Sequence, residues 1–141
     1  MKSQQQYLYR LEMKVRDYEC DLQGVVNNAN YLHYMEHTRH EFLLTLGEDF
    51  ESLHRKGTDL FVRKVELTYL RSLRSGDQFV SALAMERSGA KLCFRQDLYL
   101  TDGTPVCKGI IEAVAVVNET VSRGEIFDTL IDIASTRHKL A

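Results

Sequence analysis

The hydrophobic pattern of this chain changes its period twice, which restricts the fold to one long helix placed among strands. From Tyr7 to Val15 apolar residues alternate along the sequence, and this predicts a first strand. From Asn30 to Leu46 they recur at steps of three and four, which predicts a helix of roughly four to five turns. Asn27 or Asn28 is the expected N-cap, and Gly47 follows the expected helix end. After a polar loop the period returns to two.

Four further strands are predicted in the second part of the chain. Two connections between them, Ser88–Ala90 and Thr101–Thr104, are too short to join parallel strands, so the sheet is expected to be antiparallel. The last strand is almost wholly apolar, which predicts a central position covered on both faces. The predicted strands are Leu60–Leu70, Gln78–Arg87, Lys91–Leu100 and Val106–Asn118, with a short helical turn in the Glu48–Gly57 loop and a short helix over Glu125–Ala134.

These elements predict a single α+β domain spanning residues 1–141. One long helix covers only one face of a five-stranded sheet, so the other face must be solvated or covered by a partner. A homo-oligomer is therefore expected.

Composition narrows the class of protein. The formal net charge of −2 gives no bulk attraction to nucleic acid or to an anionic membrane. The three cysteines form no CxxC motif, so neither a disulfide framework nor a zinc site is indicated. No apolar run approaches the roughly 18 residues of a membrane span, and the N-terminus lacks the apolar core of a signal peptide. A soluble, cytoplasmic protein without a cofactor is expected.

Histidines on the predicted helix offer a weak metal signal. His33 and His37 lie four residues apart, a spacing able to bind metal on a helix face. The sequence places no third ligand beside them, so a solvated or interface face is the preferred interpretation and no metal site is predicted.

The loop that leads into the long helix carries the strongest candidates for chemistry. Asp21 lies three residues before Gly24, and the loop then runs through Asn27 and Asn28 into the helix. A carboxylate beside a helix N-terminus is suited to general base or nucleophilic catalysis, because N–H groups from Gly24 to Val26 or at the helix start stabilise a developing negative charge.

Each of these residues also has a simpler structural interpretation. Asp21 is able to cap a turn before Gly24, and one of the two asparagines is expected to be the N-cap rather than a substrate ligand. Asn28 is the preferred residue to bond a substrate carbonyl or hold a water, with Asn27 second. Tyr18 and Tyr31 are candidates to line a pocket, although Tyr31 lies on the apolar stripe, where core packing is the alternative.

Three segments carry a resemblance to a known family. The stretch from Tyr18 to Tyr31, YECDLQGVVNNANY, is similar to the signature of the 4-hydroxybenzoyl-CoA thioesterase-like acyl-CoA thioesterases, with which it shares the spacing Asp-x-x-Gly-Val-Val-x-x-x-x-Tyr. Ser72–Asp77 resembles the turn between the second and third strands of that family, and Asp102–Gly109 resembles its last hairpin. The resemblance covers about residues 5 to 118.

This resemblance implies a hotdog fold, in which one long central helix is wrapped by a five-stranded antiparallel sheet. It implies dimers joined edge to edge and often paired into tetramers, with active sites at the subunit interface and a coenzyme A thioester as substrate. Asp21 falls on the catalytic carboxylate position, and Arg74, in the family-like turn, is a candidate for the coenzyme A phosphates. Many bacterial members carry His or Tyr at the position of Asn28, whereas the Asn27–Asn28 pair is more similar to acyl-carrier-protein thioesterases.

The leading hypothesis is hydrolysis of an acyl-CoA thioester to a free acid and CoA. Hydrolysis of an acyl-carrier-protein (acyl-ACP) thioester is the first alternative. A non-catalytic module that binds acyl thioesters is the second, and the carboxylate of Asp21 argues against it because a binder does not need one.

Overall fold

Within residues 7–47 and 50–137, which the computed structural model describes, the chain forms six strands, three α-helices and a three-residue 3₁₀ helix at Asp17–Glu19. Predictions for residues 1–6, 48–49 and 138–141 lie outside that part. The elements in chain order are β1 (Tyr9–Lys14), α1 (Asn28–Thr45), α2 (Phe50–Arg55), β2 (Thr58–Tyr69), β3 (Gln78–Ser88), β4 (Lys91–Leu100), β5 (Pro105–Val117), β6 (Thr120–Val121) and α3 (Glu125–Arg137).

The main sheet is antiparallel and has the order β1-β3-β4-β5-β2, with the two-residue β6 added to β5. The predicted hairpins β3–β4 and β4–β5 are therefore confirmed. The sequence did not predict β6 because two residues carry no measurable period. With the long helix on its inner face, this arrangement confirms the predicted α+β hotdog fold.

Helix α1 begins and ends where its capping residues predict. The Asn27 side chain accepts a hydrogen bond from the Ala29 N–H at 2.9 Å, so Asn27 is the N-cap. At the other end Gly47 has a φ of +79°, the left-handed conformation that glycine adopts most readily after a helix. These two residues set the length of α1, and hence how far it runs across the sheet.

The buried face of α1 follows the predicted stripe with two additions. Tyr31, Tyr34, Met35, Thr38 and Phe42 are buried as expected, and Arg39 and Leu43 are buried as well. Helix α1 approaches the sheet closely at Gly109 of β5, where an added Cβ would lie 2.6 Å from the Met35 Sδ atom. A glycine there lets the helix lie directly against the middle of the sheet.

The expectation that β5 is covered on both faces is wrong within one chain. The strand is central, between β4 and β2, and Val106, Ile111 and Ala115 on its inner side are buried. On the outer side Ile110 is 43% exposed and Val114 is half-buried. Within the described residues these apolar side chains are therefore only partly covered.

Strand β2 forms one end of the sheet and pairs only with β5 among the described residues. Several large apolar side chains on it are exposed, among them Phe61, Val62, Val65 and Tyr69. A long edge strand with exposed apolar side chains is a template for pairing with another chain. No helix in the described residues is both long and apolar enough to cross a membrane.

Candidate active site

Asp21 lies at the start of a tight turn that its own side chain helps to close. The Gly24 N–H donates to the Asp21 carbonyl at 3.0 Å, and Gly24 has a φ of +80°. Asp21 Oδ1 accepts hydrogen bonds from the N–H groups of Gln23, at 2.9 Å, and Val25, at 3.4 Å. The turn-capping role is thus real, but it uses one oxygen. Oδ2 has no partner among the described residues and belongs to an exposed side chain.

The Asp21 turn is held by the Ser72–Asp77 turn beside it. Val26 is 2% exposed, and its N–H donates to the Leu73 carbonyl at 2.8 Å. The backbone of Arg74 forms an isolated antiparallel β-bridge with Val25. The Nη1 atom of Arg74 lies 4.0 Å from the position that a Cβ atom on Gly24 would occupy. The structure therefore brings a guanidinium to the Asp21 loop, from a segment some fifty residues later in the sequence.

The N–H groups that were expected to stabilise negative charge are mostly occupied. Those of Gly24, Val25 and Val26 all donate within the loop or to the adjacent turn. At the helix start the Ala29 N–H is taken by the N-cap, whereas the Asn28 N–H has no acceptor in the described part of the chain. The Asn28 side chain is exposed and also has no described partner. Asn28 therefore offers both donors at the positive end of α1.

Glu19 fixes the helix start to the loop, and sequence reasoning did not single it out for this. Its backbone carbonyl accepts hydrogen bonds from the Asn27 N–H, at 3.1 Å, and from Asn30 Nδ2, at 2.8 Å. Its carboxylate, 8% exposed, accepts from the Arg16 N–H at 2.8 Å, Arg16 Nη2 at 2.9 Å and the Tyr34 hydroxyl at 2.9 Å. One residue thus ties the segment before Asp21 to two turns of α1.

Hydrogen bonding keeps Glu19 charged despite its burial. Burial alone would raise the pKa of Glu19, but the hydrogen bonds from Arg16 and Tyr34 together lower it below the ordinary value. Burial, followed by the bond to Glu19, raises the pKa of Tyr34 well above its ordinary value, so Tyr34 stays a donor. The spacing of Arg16 and Glu19 was a signal available in the sequence, whereas the contact with Tyr34 was not.

The two tyrosines proposed for the pocket occupy opposite environments. Tyr31 is 2% exposed in the core, and its hydroxyl accepts a hydrogen bond from the Leu73 N–H at 3.0 Å. Tyr18 is 78% exposed beside the Asp21 turn. Tyr69, which the sequence did not single out, packs its ring 5.3 Å from that of Tyr31 and donates to the Asn28 carbonyl at 3.2 Å. The end of β2 therefore lies beside the start of α1.

The arrangement contains no candidate metal centre in residues 7–47 and 50–137. No three His, Cys, Asp or Glu side chains in that part come together as a metal site would require. The chemistry open to this site is that of a carboxylate beside backbone and side-chain donors at a helix N-terminus.

Several known proteins are similar to this chain in sequence or in fold. An acyl-acyl carrier protein thioesterase (ATL3, chloroplastic) of Arabidopsis thaliana is 41% identical over 106 residues, covering 72% of this chain and 56% of the plant protein. A putative esterase of Synechocystis is 31% identical over 110 residues, covering 77% and 66%. The chain thus spans between a half and two thirds of the length of these relatives.

Among solved structures, a 1,4-dihydroxy-2-naphthoyl-CoA thioesterase from Synechocystis superposes with a TM-score of 0.80 at 13% identity, covering 91% of this chain and 96% of that one. This likeness supports the fold. The family model described as the thioesterase-like superfamily matches residues 15–132, which include the whole candidate site. The chain therefore belongs to the thioesterase-like superfamily.

Proposed function

We propose that this chain hydrolyses acyl thioesters, with Asp21 as the group that activates the attack and the Asn28 N–H as the donor to the carbonyl oxygen. The observation that carries the proposal is the state of Asp21. One carboxylate oxygen is fixed by the turn and the other has no partner in residues 7–47 and 50–137, where the same holds for the donors of Asn28 at the end of this loop. A fixed carboxylate near a helix N-terminus is preorganised for a reaction that develops negative charge on oxygen.

In the general base route, Asp21 Oδ2 accepts a proton from water while the water oxygen bonds to the thioester carbonyl carbon. The carbonyl π electrons move to oxygen, and that oxyanion lies against the Asn28 N–H at the positive end of α1. When the carbonyl re-forms, the C–S bond breaks, and the leaving thiolate takes up the proton held by Asp21, which restores the carboxylate. In the alternative route an Asp21 oxygen attacks the carbonyl carbon and the C–S bond breaks, so that the thiolate leaves and a mixed anhydride forms, which water then hydrolyses to the same products.

We propose coenzyme A as the carrier, with acyl-ACP as the second candidate. The turn containing Arg74 supports a phosphate-bearing carrier, and the 41% identical plant relative, named for acyl carrier protein, supports the alternative. A module that only binds thioesters is less favoured, because it gives no reason for a free carboxylate oxygen at Asp21. The cytoplasm is the proposed location, because a reducing compartment suits the free thiols of Cys20, Cys93 and Cys107.

Arg74→Ala is expected to raise KM for an acyl-CoA about threefold to tenfold while leaving kcat nearly unchanged, because a phosphate contact contributes to binding and not to the acyl transfer. Arg55→Ala is the matched control: Arg55 is also an exposed arginine, but it pairs with Glu51 on α2. Steady-state kinetics at two salt concentrations measure the effect. An unchanged KM in Arg74→Ala would remove this residue from the site.

We propose that the protein is a homo-oligomer in which β2 pairs with β2 of a second copy, with a tetramer as the larger assembly. The double variant Phe61→Lys/Val65→Lys is expected to halve the apparent mass of the smallest assembly and to lose most of the activity, since charged side chains on an edge strand oppose pairing. Light scattering and thiol release measure the two effects. Val121→Lys, at another exposed apolar position, is the control, and a double variant with unchanged mass and activity would contradict the proposal.

A panel of acyl-CoA and acyl-ACP thioesters, assayed by release of free thiol, tests the function itself. We expect turnover with the chain alone, without added metal, and a kcat/KM that is higher for one carrier. Binding of thioesters without any release of thiol would favour the binding module instead.

A further inference from the structure

A cavity of about 430 Å³ lies between the second half of α1 and the sheet, and the proposed mechanism does not use it. Its apolar walls come from α1, β2, β4 and β5 and consist of Leu43, Leu60, Val62, Phe94 and Ala113. Three polar residues of α1, Glu36, Arg39 and His40, complete the lining. Apolar walls with a few polar groups are typical of a site for a small organic ligand.

Arg39 is the unusual member of this lining because it is a buried cation. It is 6% exposed, its Nη1 donates to Gln96 Oε1 at 2.8 Å, and its guanidinium carbon lies 5.8 Å from the centre of the Phe94 ring. Gln96 is neutral and fully buried, and its own Nε2 donates to the Met35 carbonyl at 2.9 Å. These contacts hold the guanidinium in place but do not neutralise it.

No counter-ion for Arg39 is found in the described residues. No carboxylate oxygen among them forms an ion pair with it within 4.0 Å. Burial lowers the pKa of Arg39, and the exposed carboxylate of Glu36, one turn earlier, opposes that shift from a greater distance. Burial likewise lowers the pKa of His40. Buried charges in proteins are normally paired, so an unneutralised guanidinium at an apolar cavity points to an anionic ligand.

The cavity and the candidate active site both lie between α1 and β2. The hydrogen bond from Tyr69 to the Asn28 carbonyl places one end of β2 beside the start of α1. Leu60, near the other end of β2, lines the cavity together with Arg39. Asn28 and Arg39 are eleven residues apart, close to three full turns, so they lie on the same side of the helix about 16 Å apart.

We propose that this cavity receives the far end of the acyl group and that Arg39 selects acyl groups that end in a carboxylate. The inference rests on the proposed hydrolysis of thioesters at Asp21. The planar guanidinium binds a carboxylate through two parallel hydrogen bonds, while the apolar walls hold the methylene groups between the two ends. An acyl group ending in a methyl leaves the buried charge of Arg39 unneutralised and is the poorer substrate.

The test compares acyl-CoA thioesters of equal length that end in a carboxylate, a hydroxyl or a methyl. At the lengths that span the distance from Asn28 to Arg39, the wild type is expected to show a kcat/KM about tenfold or more higher for the carboxylate end than for the methyl end, with the hydroxyl between them. Arg39→Met, which keeps an unbranched apolar side chain, is expected to reverse this order. Arg55→Met is the matched control: Arg55 is an exposed arginine on α2 that does not line the cavity, so this variant keeps the wild-type order.

The ranking in the wild type decides the proposal even if Arg39→Met fails to fold. A wild type that hydrolyses methyl-ended acyl-CoA as well as or better than the carboxylate-ended substrate would overturn this inference alone. A wild type that hydrolyses none of these thioesters, on either carrier, would overturn the proposed function, and the selectivity with it.

Discussion

Replacing Asp21 with asparagine is expected to lower kcat/KM for thioester hydrolysis by a factor of about 10²–10⁴, the usual contribution of a positioned general base. Asparagine keeps an acceptor oxygen for the N–H groups of Gln23 and Val25, so the turn at Gly24 is retained. The decrease in kcat/KM therefore measures the contribution of the second carboxylate oxygen, which has no structural partner in the described residues. Thiol release at pH 7 measures the effect, with thermal unfolding and light scattering to verify fold and assembly.

Asp102→Asn is the matched control for Asp21→Asn. Asp102 accepts a hydrogen bond from the Thr104 N–H at 2.9 Å and so caps the β4–β5 turn in the same manner. The control is expected to keep full activity because this turn lies outside the site. If Asp21→Asn retained near-native turnover, the catalytic assignment would be wrong and the turn-capping role of Asp21 would be its whole function.

Glu19→Ala is the variant with the second large expected effect, and it is expected to lower both the free energy of unfolding and kcat. The variant loses three hydrogen bonds to a buried carboxylate, which we expect to lower the free energy of unfolding by about 2–4 kcal/mol. It also loosens the backbone carbonyl that holds Asn27 and Asn30, so kcat is expected to fall in the variant that remains folded. Chemical denaturation and thiol release give the two readouts.

The control for Glu19 is Glu51→Ala. Glu51 pairs with Arg55 at 3.0 Å between two exposed side chains on α2, so its removal is expected to cost about 0.5 kcal/mol or less. Equal losses of stability in Glu19→Ala and Glu51→Ala would show that the Glu19 network contributes no more than a surface ion pair.

The contribution of Glu19 also has a defined pH dependence. Its pKa is lower in the folded chain than the ordinary glutamate value of about 4.3, so the folded state favours the carboxylate. The stabilisation is therefore fully present above the ordinary pKa and is lost as the pH falls through the folded pKa. The difference in unfolding free energy between wild type and Glu19→Gln is expected to be constant from pH 6 to 8 and to shrink below about pH 4. A difference that grows on acidification would contradict this account.

Local patterns predicted the elements and the turn at Asp21 well. The change of period located α1, and cap residues placed its ends because a side chain bonds to a backbone group only two residues away at Asn27. The turn at Asp21 and Gly24 was likewise predictable from the sequence, because Gln23 and Val25, whose N–H groups donate to the Asp21 side chain, lie within four residues of it. Sequence alone also left both roles of Asp21 open, and the structure shows that the turn uses only one of its two oxygens.

Contacts between distant segments were not predictable in the same way. Tyr34 was placed on the apolar stripe of α1, but its hydroxyl bonds to Glu19, fifteen residues earlier. Arg39 was missed as a buried residue because arginine is normally exposed, and Gln96, its partner, is fifty-seven residues away. The partial exposure of the outer side of β5 was not predicted, because an apolar strand has the same sequence pattern whether its own chain or a second copy buries it.

The most direct test of the account is turnover of an acyl-CoA by the wild-type chain in water enriched in oxygen-18. Hydrolysis at Asp21 predicts one free thiol for each acid formed and solvent oxygen in the carboxyl group of that acid, by either route of attack. Recovery of the intact thioester, with neither thiol nor labelled acid after prolonged incubation of the assembled protein with each carrier, would contradict it.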